Sequence, residues 1–383
     1  MPSNLNELLE IGGKITFTGN SSWMNDYMGL YNDSYDDYNC CEGGDVCDLN
    51  EGTNFEAVFI PVLYSVAFVV GILGNGLLLG VLAQSRKKWN VTDTFILHLG
   101  VADVLLLVTL PLWAVQAAQA EGWTFNTPVC KITGTVFTIN FYCGIFLLAC
   151  ISLDRYLSIV HATQMYSRKK PWVVHASCFA VWFFSTLLSI PDWMFLEPVM
   201  DDRREKTECV RNYYKYSSDA VDDWRLASRL LYHIVGFLIP SAVLIFCYSC
   251  ILQRLRCGTQ GLQKQKAFRV IMAVVVVFFL CWTPYNITLM VDTFHSDNSS
   301  STCGVRSSLE KAKIVTSCVG YLHCCLNPIL YAFVGVKFRR QLFNILRSLG
   351  CRLKMSVKFQ SAASSRRSSI WSESADTSNS IAI

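Results

Sequence analysis

Charge is scarce in this chain. Only 16% of its 383 residues are Asp, Glu, Lys or Arg, where soluble domains carry about a quarter. That deficit, beside 52% hydrophobic residues, argues against an ordinary soluble domain and for a membrane protein. Each end also lacks one sign. Residues 1 to 56 hold eleven acids and a single Lys, whereas the last fifty hold many Lys and Arg and few acids. The two ends are therefore expected in different environments. The first twenty residues have no sustained apolar core, so no cleavable signal peptide is expected and the first apolar segment would serve as the insertion signal. No nucleophile stands with a base and no metal-ligand cluster emerges, so an enzyme is not expected. The inverted internal repeats common in transporters are not visible either, and nothing points to a nucleic-acid partner.

What is present is seven long apolar segments. A helix needs about 20 mostly apolar residues to cross a bilayer. Segments of that kind run over about 57–84, 94–118, 131–160, 172–196, 227–254, 268–292 and 312–335. They are too long, and too poor in period-2 alternation, for barrel strands. The predicted fold class is thus an all-α membrane protein, a seven-helix bundle over 57–335. Basic clusters fix its orientation: Arg86-Lys87-Lys88, Arg168-Lys169-Lys170, the group from Arg254 to Arg269, and Lys337 with Arg339 and Arg340. With seven spans these all fall on one side, which places the acidic tail (1–56) outside and the C-terminus inside. Phe338, Leu342, Phe343, Leu346 and Leu349 repeat at helical spacing, and predict an amphipathic interfacial helix over 336–350. Cys351 at its end is a candidate for palmitoylation or a plain thiol. A Ser-rich cytoplasmic tail follows over 351–383.

Six of the seventeen cysteines fall on the outer side: Cys40, Cys41, Cys47, Cys130, Cys209 and Cys303. An oxidising exterior favours pairing. Bridges Cys130–Cys209 and Cys47–Cys303 would pin a loop and the tail over the bundle, although spacing alone leaves the connectivity open. Asn20, Asn32 and Asn298 begin outer glycosylation sequons. Asn90 and Asn286 begin sequons on the inner side and in a span, where use is not expected.

Several polar groups interrupt the spans. Asp103 lies in the middle of the second, where an acid costs about 2.5–3.5 kcal/mol to insert and marks a functional candidate. Asn75, Asn140 and Asn327 are mid-span companions. Asp154-Arg155-Tyr156 closes the third span. The acid can pair the Arg locally, and release would offer its donor fork to a partner, although a snorkelling Arg would look the same. Pro284, in Cys281-Trp282-Thr283-Pro284-Tyr285, and Pro328, in Asn327-Pro328-Ile329-Leu330-Tyr331, each remove a helix hydrogen bond. Such kinks act as hinges or as plain kinked packing.

Taken in order, Asn75, Asp103, Asp154-Arg155-Tyr156, Trp182, Pro240, Cys281–Tyr285 and Asn327–Tyr331 resemble the landmarks of the rhodopsin-like G-protein-coupled receptors over nearly the whole chain. Thr109-Leu110-Pro111 resembles the Thr-x-Pro signature of chemokine receptors. Asp154–Ala162, His323–Pro328 and Tyr331–Arg339 are similar to their CXC subgroup. The stretches 161–164 and 364–373 narrow the resemblance further within it. The resemblance implies a basic CXC chemokine as ligand, a heterotrimeric G protein of the inhibitory class, a receptor kinase and an arrestin as partners, membrane lipid around the bundle, and a role in leukocyte chemotaxis at the plasma membrane. It implies ligand contacts at Tyr64, Trp113, Phe137, Asp192, Tyr285, Asp292, Lys313 and Tyr321. Tyr27, Tyr31, Tyr35 and Tyr38 stand among acids suited to tyrosine sulfation. Asp154, Arg155, Tyr156 and Tyr331 would meet the G protein, with Trp282, Pro284, Asn327 and Pro328 as the activation switch. Where many of these receptors carry a Glu, this chain has Ser317, so Asp192 and Asp292 are expected to supply the negative charge. No cofactor is expected beyond a candidate sodium ion at Asp103 and Asn140. Gly144, His323 and Cys324 depart from the residues that hold sodium in related receptors. The competing readings are a scavenging chemokine receptor without G-protein signalling, and a transporter or channel.

Overall fold

The computed structural model describes residues 50–84, 89–161, 171–201, 205–215, 220–257, 262–296 and 303–334. Seven helices in it are long and apolar enough to cross a membrane: α1 (Ala57–Gln84), α2 (Val91–Ala118), α3 (Thr127–His161), α4 (Trp172–Phe195), α5 (Val221–Arg256), α6 (Ile271–Phe294) and α7 (Ser308–Tyr331). The expected spans are all there, and α2 and α3 start earlier than hydropathy suggests because polar caps extend them. Asn126 accepts a hydrogen bond from the Val129 N–H at the head of α3. Asn90 and Asp93 form a reciprocal capping box at the head of α2, which satisfies amides that would otherwise lack partners.

Three helices carry local irregularities. α2 breaks between Leu107 and Leu110. There the Thr109 hydroxyl donates to the Leu106 carbonyl at 2.7 Å, and Pro111 has no N–H to continue the ladder. α5 widens into a π-helical stretch over Leu231–Leu238, just before Pro240. The end of α3 opens the same way over Leu157–His161. Such widenings recur at functional sites.

α3 is the central rod. Of its most apolar window 67% is buried, against 22% for α1 at the edge. Phe179, Phe183, Leu280 and Leu73 point outward and exposed, as a lipid-facing surface requires. The buried polar groups, Asn75, Asp103, Asn140, His323 and Asn327 among them, sit inside the bundle.

One end of the bundle carries a hairpin of β1 (Leu196–Asp201) and β2 (Lys206–Arg211), antiparallel, with Leu196 opposite Arg211 and Asp201 opposite Lys206. A disulfide joins Cys209 of β2 to Cys130 at the start of α3. The loop after α2 also holds the hairpin: Trp123 N–H donates to the Thr207 carbonyl at 2.8 Å, and Thr207 N–H to the Glu121 carbonyl at 3.1 Å. Between them Gly122 has φ +78°, and a Cβ there would lie 2.1 Å from the Thr207 oxygen. Only glycine fits. The candidate sulfated tyrosines, Cys47 and its pairing with Cys303, the sequons at Asn20, Asn32 and Asn298, the interfacial helix over 336–350 and the Ser-rich tail lie outside the described residues.

Candidate functional site

The hairpin end opens onto an aromatic floor. Phe137 of α3 stands 5.7 Å from Tyr285 of α6, 5.0 Å from Tyr321 of α7 and 5.4 Å from Trp282. Tyr64 of α1 meets Tyr321 edge-on at 5.2 Å and accepts from the Cys318 thiol at 3.4 Å. Four helices thus converge on one surface. Trp113 packs against this main cluster and also on Trp123 at 5.5 Å under the hairpin, so it bridges the two groups.

The acids beside this floor are already paired. Asp192 binds Arg211 of β2. Asp292 of α6 takes Arg229 of α5 at 3.1 Å on one oxygen and Lys313 of α7 at 2.9 Å on the other. The charge expected from Asp192 and Asp292 is therefore neutralised within the protein. Burial works against the Arg211 cation, but the Asp192 carboxylate, by its charge and its hydrogen bond, outweighs it and holds the Arg211 pKa above the ordinary guanidinium value. A small recess of about 30 Å³, roughly the room of one water, opens between Asp192, Arg211, Arg229, Tyr232 and Tyr285. The Tyr232 hydroxyl and Arg229 Nη1 are buried in this region without a protein partner.

Below the floor lies Trp282, fully buried. Its indole packs on Phe141 at 4.8 Å, on Phe278 at 6.1 Å and on His323 of α7 at 5.3 Å. Asn286 Nδ2 donates to the Trp282 carbonyl at 2.9 Å, and Asn286 Oδ1 lies 3.2 Å from His233 Nδ1 of α5. Pro284 sits inside this stretch of helix.

Deeper again, Asp103 collects groups from α3 and α7. Asn327 Nδ2 donates to one carboxylate oxygen at 2.8 Å and Asn140 Nδ2 to the other at 3.2 Å. His323 Nε2 stands 3.6 Å from that second oxygen. Asn75 of α1 donates to the Cys324 carbonyl at 2.9 Å. This donor set does not fit sodium. A hard monovalent ion wants several oxygens, and here both carboxylate oxygens already take amide N–H groups while residues 144, 323 and 324 offer no side chain, an imidazole and a thiol.

At the opposite end from the hairpin, Arg155 lies 3.8 Å from Asp154 and donates to the Thr92 hydroxyl of α2. Tyr156 packs on Phe246 of α5 at 5.6 Å, and its hydroxyl lies 3.0 Å from His161. Tyr331 is buried nearby in α7. The helix that contains α6 begins at Leu262, nine residues before the span; that stretch, Leu262–Phe268, contains Lys264 and Lys266 and no acid, so no carboxylate there can hold Arg155.

A model of the 7 transmembrane receptor (rhodopsin family) matches residues 74–331. The chain belongs to that family. Within it, the chain is 46% identical over 355 residues to the C-X-C chemokine receptor type 3 of Bos taurus, covering 91% of this chain and 94% of the relative. The Homo sapiens type 3 receptor is 45% identical over 340 residues, 88% of this chain and 89% of its own length. The Homo sapiens type 5 receptor is 39% identical over 323 residues, 83% and 86%. The chain is thus a member of the C-X-C chemokine receptors, most like type 3 among these, the type that 161–164 and 364–373 resemble. It is a multi-pass plasma-membrane protein.

For this receptor, sequence reading missed Arg211, Arg229 and Thr92. Arg229 carried a usable signal: a cation inside the apolar run of α5 is itself a functional candidate. Arg211 lay in a loop whose path only the hairpin defines. Thr92 has no signature, because a hydroxyl at the start of a helix is ordinary.

Proposed function

We propose that this receptor binds a basic CXC chemokine at the hairpin end and activates a heterotrimeric G protein of the inhibitory class at the Arg155 end, in leukocyte chemotaxis. The observation that carries the reading is Trp282. Its ring touches both the aromatic floor, through Phe137, and the Asp103 group, through His323. A ligand strand entering over Phe137, Tyr285 and Tyr321 presses on a side chain that abuts the polar core of α7. It favours the active state only by its differential affinity for that state. Pro284 and Pro328 supply the kinks about which α6 and α7 adjust, and Arg155 then exchanges Thr92 and Asp154 for the G protein.

The acidic tail lies outside the cell in this scheme, and captures the chemokine body before the strand inserts. Sulfation at Tyr27, Tyr31, Tyr35 or Tyr38 strengthens that capture, and the Cys47–Cys303 bridge ties the tail to the last outer loop. Asn20, Asn32 and Asn298 carry the sugars. On the inner side, Cys351 takes palmitate and the 336–350 helix lies on membrane lipid. Phosphorylation of the Ser-rich tail by a receptor kinase recruits an arrestin.

The test is a panel of chemokines applied to membranes containing the receptor and an inhibitory-class G protein, with nucleotide exchange as readout. At least one CXC chemokine is expected to drive exchange. Arg155→Ala should abolish exchange and leave chemokine affinity nearly unchanged. Tight binding without exchange in the wild-type receptor would instead identify a scavenger. Equal loss of binding and exchange in Arg155→Ala would remove Arg155 from the coupling role.

A further inference from the structure

Pro284 has no N–H, so the carbonyl of Leu280, one turn earlier in α6, lacks its helical donor. Thr283 stands beside that carbonyl, three residues on from Leu280. The next threonines of the same helix bond back to a carbonyl four residues earlier: Thr288 to Pro284 at 2.9 Å and Thr293 to Leu289 at 2.9 Å. The Thr283 hydroxyl makes no hydrogen bond among the described residues. An acceptor and a hydroxyl are thus left open at one spot.

Thr283 and Pro284 line a groove of about 630 Å³ on the outer face of α6, and its apolar walls are Val276, Phe279, Leu280 and Ile287. That is the size of a small-molecule site. Val276, Leu280 and Ile287 are exposed, so the groove opens to hydrocarbon, where no water meets a stray hydroxyl or carbonyl. Its depth is defined as well. Thr283 lies twelve residues from Ile271 and eleven from Phe294, the two ends of the span. At 1.5 Å per residue each distance is about 16–18 Å, which is the middle of a core ~30 Å thick. Acyl chains reach that depth but carry no donor. A sterol with a ring hydroxyl alone keeps it at the membrane surface, about 15 Å away. What fits is a lipid with a hydroxyl at the midplane end of an apolar body. The exposed face continues past the groove through Met290 to Phe294, which gives that body a surface to lie on.

We propose that this groove binds a sterol hydroxylated at the end of its side chain. The rings lie over Ile287, Met290 and Phe294, with the ring hydroxyl at the membrane surface. The tail hydroxyl donates to the Leu280 carbonyl and accepts from the Thr283 hydroxyl. It thereby replaces the donor that Pro284 removes. Trp282 directly precedes Thr283 in the chain, so occupancy steadies the kink at the level of that indole and favours the state in which α6 keeps it.

The test is equilibrium binding of radiolabelled sterols to the purified full-length receptor, one copy per lipid nanodisc. No chemokine or G protein takes part, so the outcome is independent of the signalling reading. The two probes are cholesterol and cholesterol bearing a hydroxyl at the end of its side chain. Wild type should bind the tail-hydroxylated sterol about tenfold more tightly, as one hydrogen-bonding site allows. Thr283→Val should bring the two affinities together, and Thr283→Ser should keep them apart. The readout is a ratio within each variant, and a variant that fails to fold loses both sterols, so it cannot imitate this result. Equal affinities in wild type would give the face to ordinary lipid and overturn the site. A tenfold gap that survives Thr283→Val overturns it too. So does a Leu280→Cys cross-link between two copies that forms in larger discs and shuts out the sterol, since the face then belongs to a second receptor.

Discussion

Asp292 answers two cations at once, Arg229 at 3.1 Å and Lys313 at 2.9 Å. All three groups keep some exposure, so water screens each pair and neither is worth much to stability alone. Their effect is electrostatic. Remove the acid, and two positive charges face an incoming basic ligand. Asp292→Asn should weaken chemokine binding about tenfold, equivalent to ~1.4 kcal/mol, and the loss should shrink at high salt as screening takes over. Equilibrium binding at two ionic strengths checks both statements. A salt-independent loss would mean that Asp292 acts through packing. Asp192 is a different case, being nearly buried against Arg211. Truncating one member leaves the other charge poorly solvated. Asp192→Ala should therefore lower the thermal midpoint of the purified receptor, and Asp192→Ala with Arg211→Ala should recover part of the loss. An additive loss in the double variant would show that the pair is not coupled.

The hairpin is held by its covalent tie to α3 and by the loop after α2, and Gly122 is the tightest point of that loop. Gly122→Ala would put a Cβ 2.1 Å from the Thr207 carbonyl oxygen at φ +78°. Backbone strain of this kind costs about 1–3 kcal/mol. The variant should show a lower thermal midpoint and weaker chemokine binding, because the displaced hairpin carries Arg211. Gly80→Ala in α1, where a Cβ meets nothing within 4 Å, is the matched control and should change neither. Pro284 governs a different element. Pro284→Ala restores a backbone N–H inside α6 and straightens the hinge. Chemokine affinity should hold while chemokine-driven nucleotide exchange falls. A variant with wild-type exchange would remove the kink from the mechanism.

For the molecule as a whole, the decisive quantity is the asymmetry of charge. Eleven acids and one Lys precede the first span, and four basic clusters, at 86–88, 168–170, 254–269 and 337–340, flank the spans on the opposite side. In the proposed orientation the acidic leader faces outward and steers a basic ligand, so raising salt should slow association far more than it speeds dissociation. Tags at the two ends test the topology beneath this. The N-terminal tag should be labelled on intact cells, and the C-terminal tag only after permeabilisation. Labelling of both from one side would require an even number of crossings and defeat the scheme.

Seven crossings, the Asp154-Arg155-Tyr156 end and the polar residues inside the spans were legible in the sequence, because each is a local property. Hydropathy over twenty residues needs no knowledge of neighbours, and neither do a proline in a helix or a cap beside it. Which side chains meet is not local. Asn327 reaches Asp103 across 224 residues, and Arg229 reaches Asp292 across 63. Such partnerships depend on the rotation and height at which separate helices pack. A shift of one residue turns a side chain about 100° around its axis. The order of apolar and polar residues along the chain thus determined a bundle with polar groups inside it. Only the packing of α5, α6 and α7 around Asp292, and of the hairpin beside Asp192 of α4, decided that the acids at the mouth are neutralised, and only the meeting of α2, α3 and α7 set an imidazole and a thiol beside Asp103.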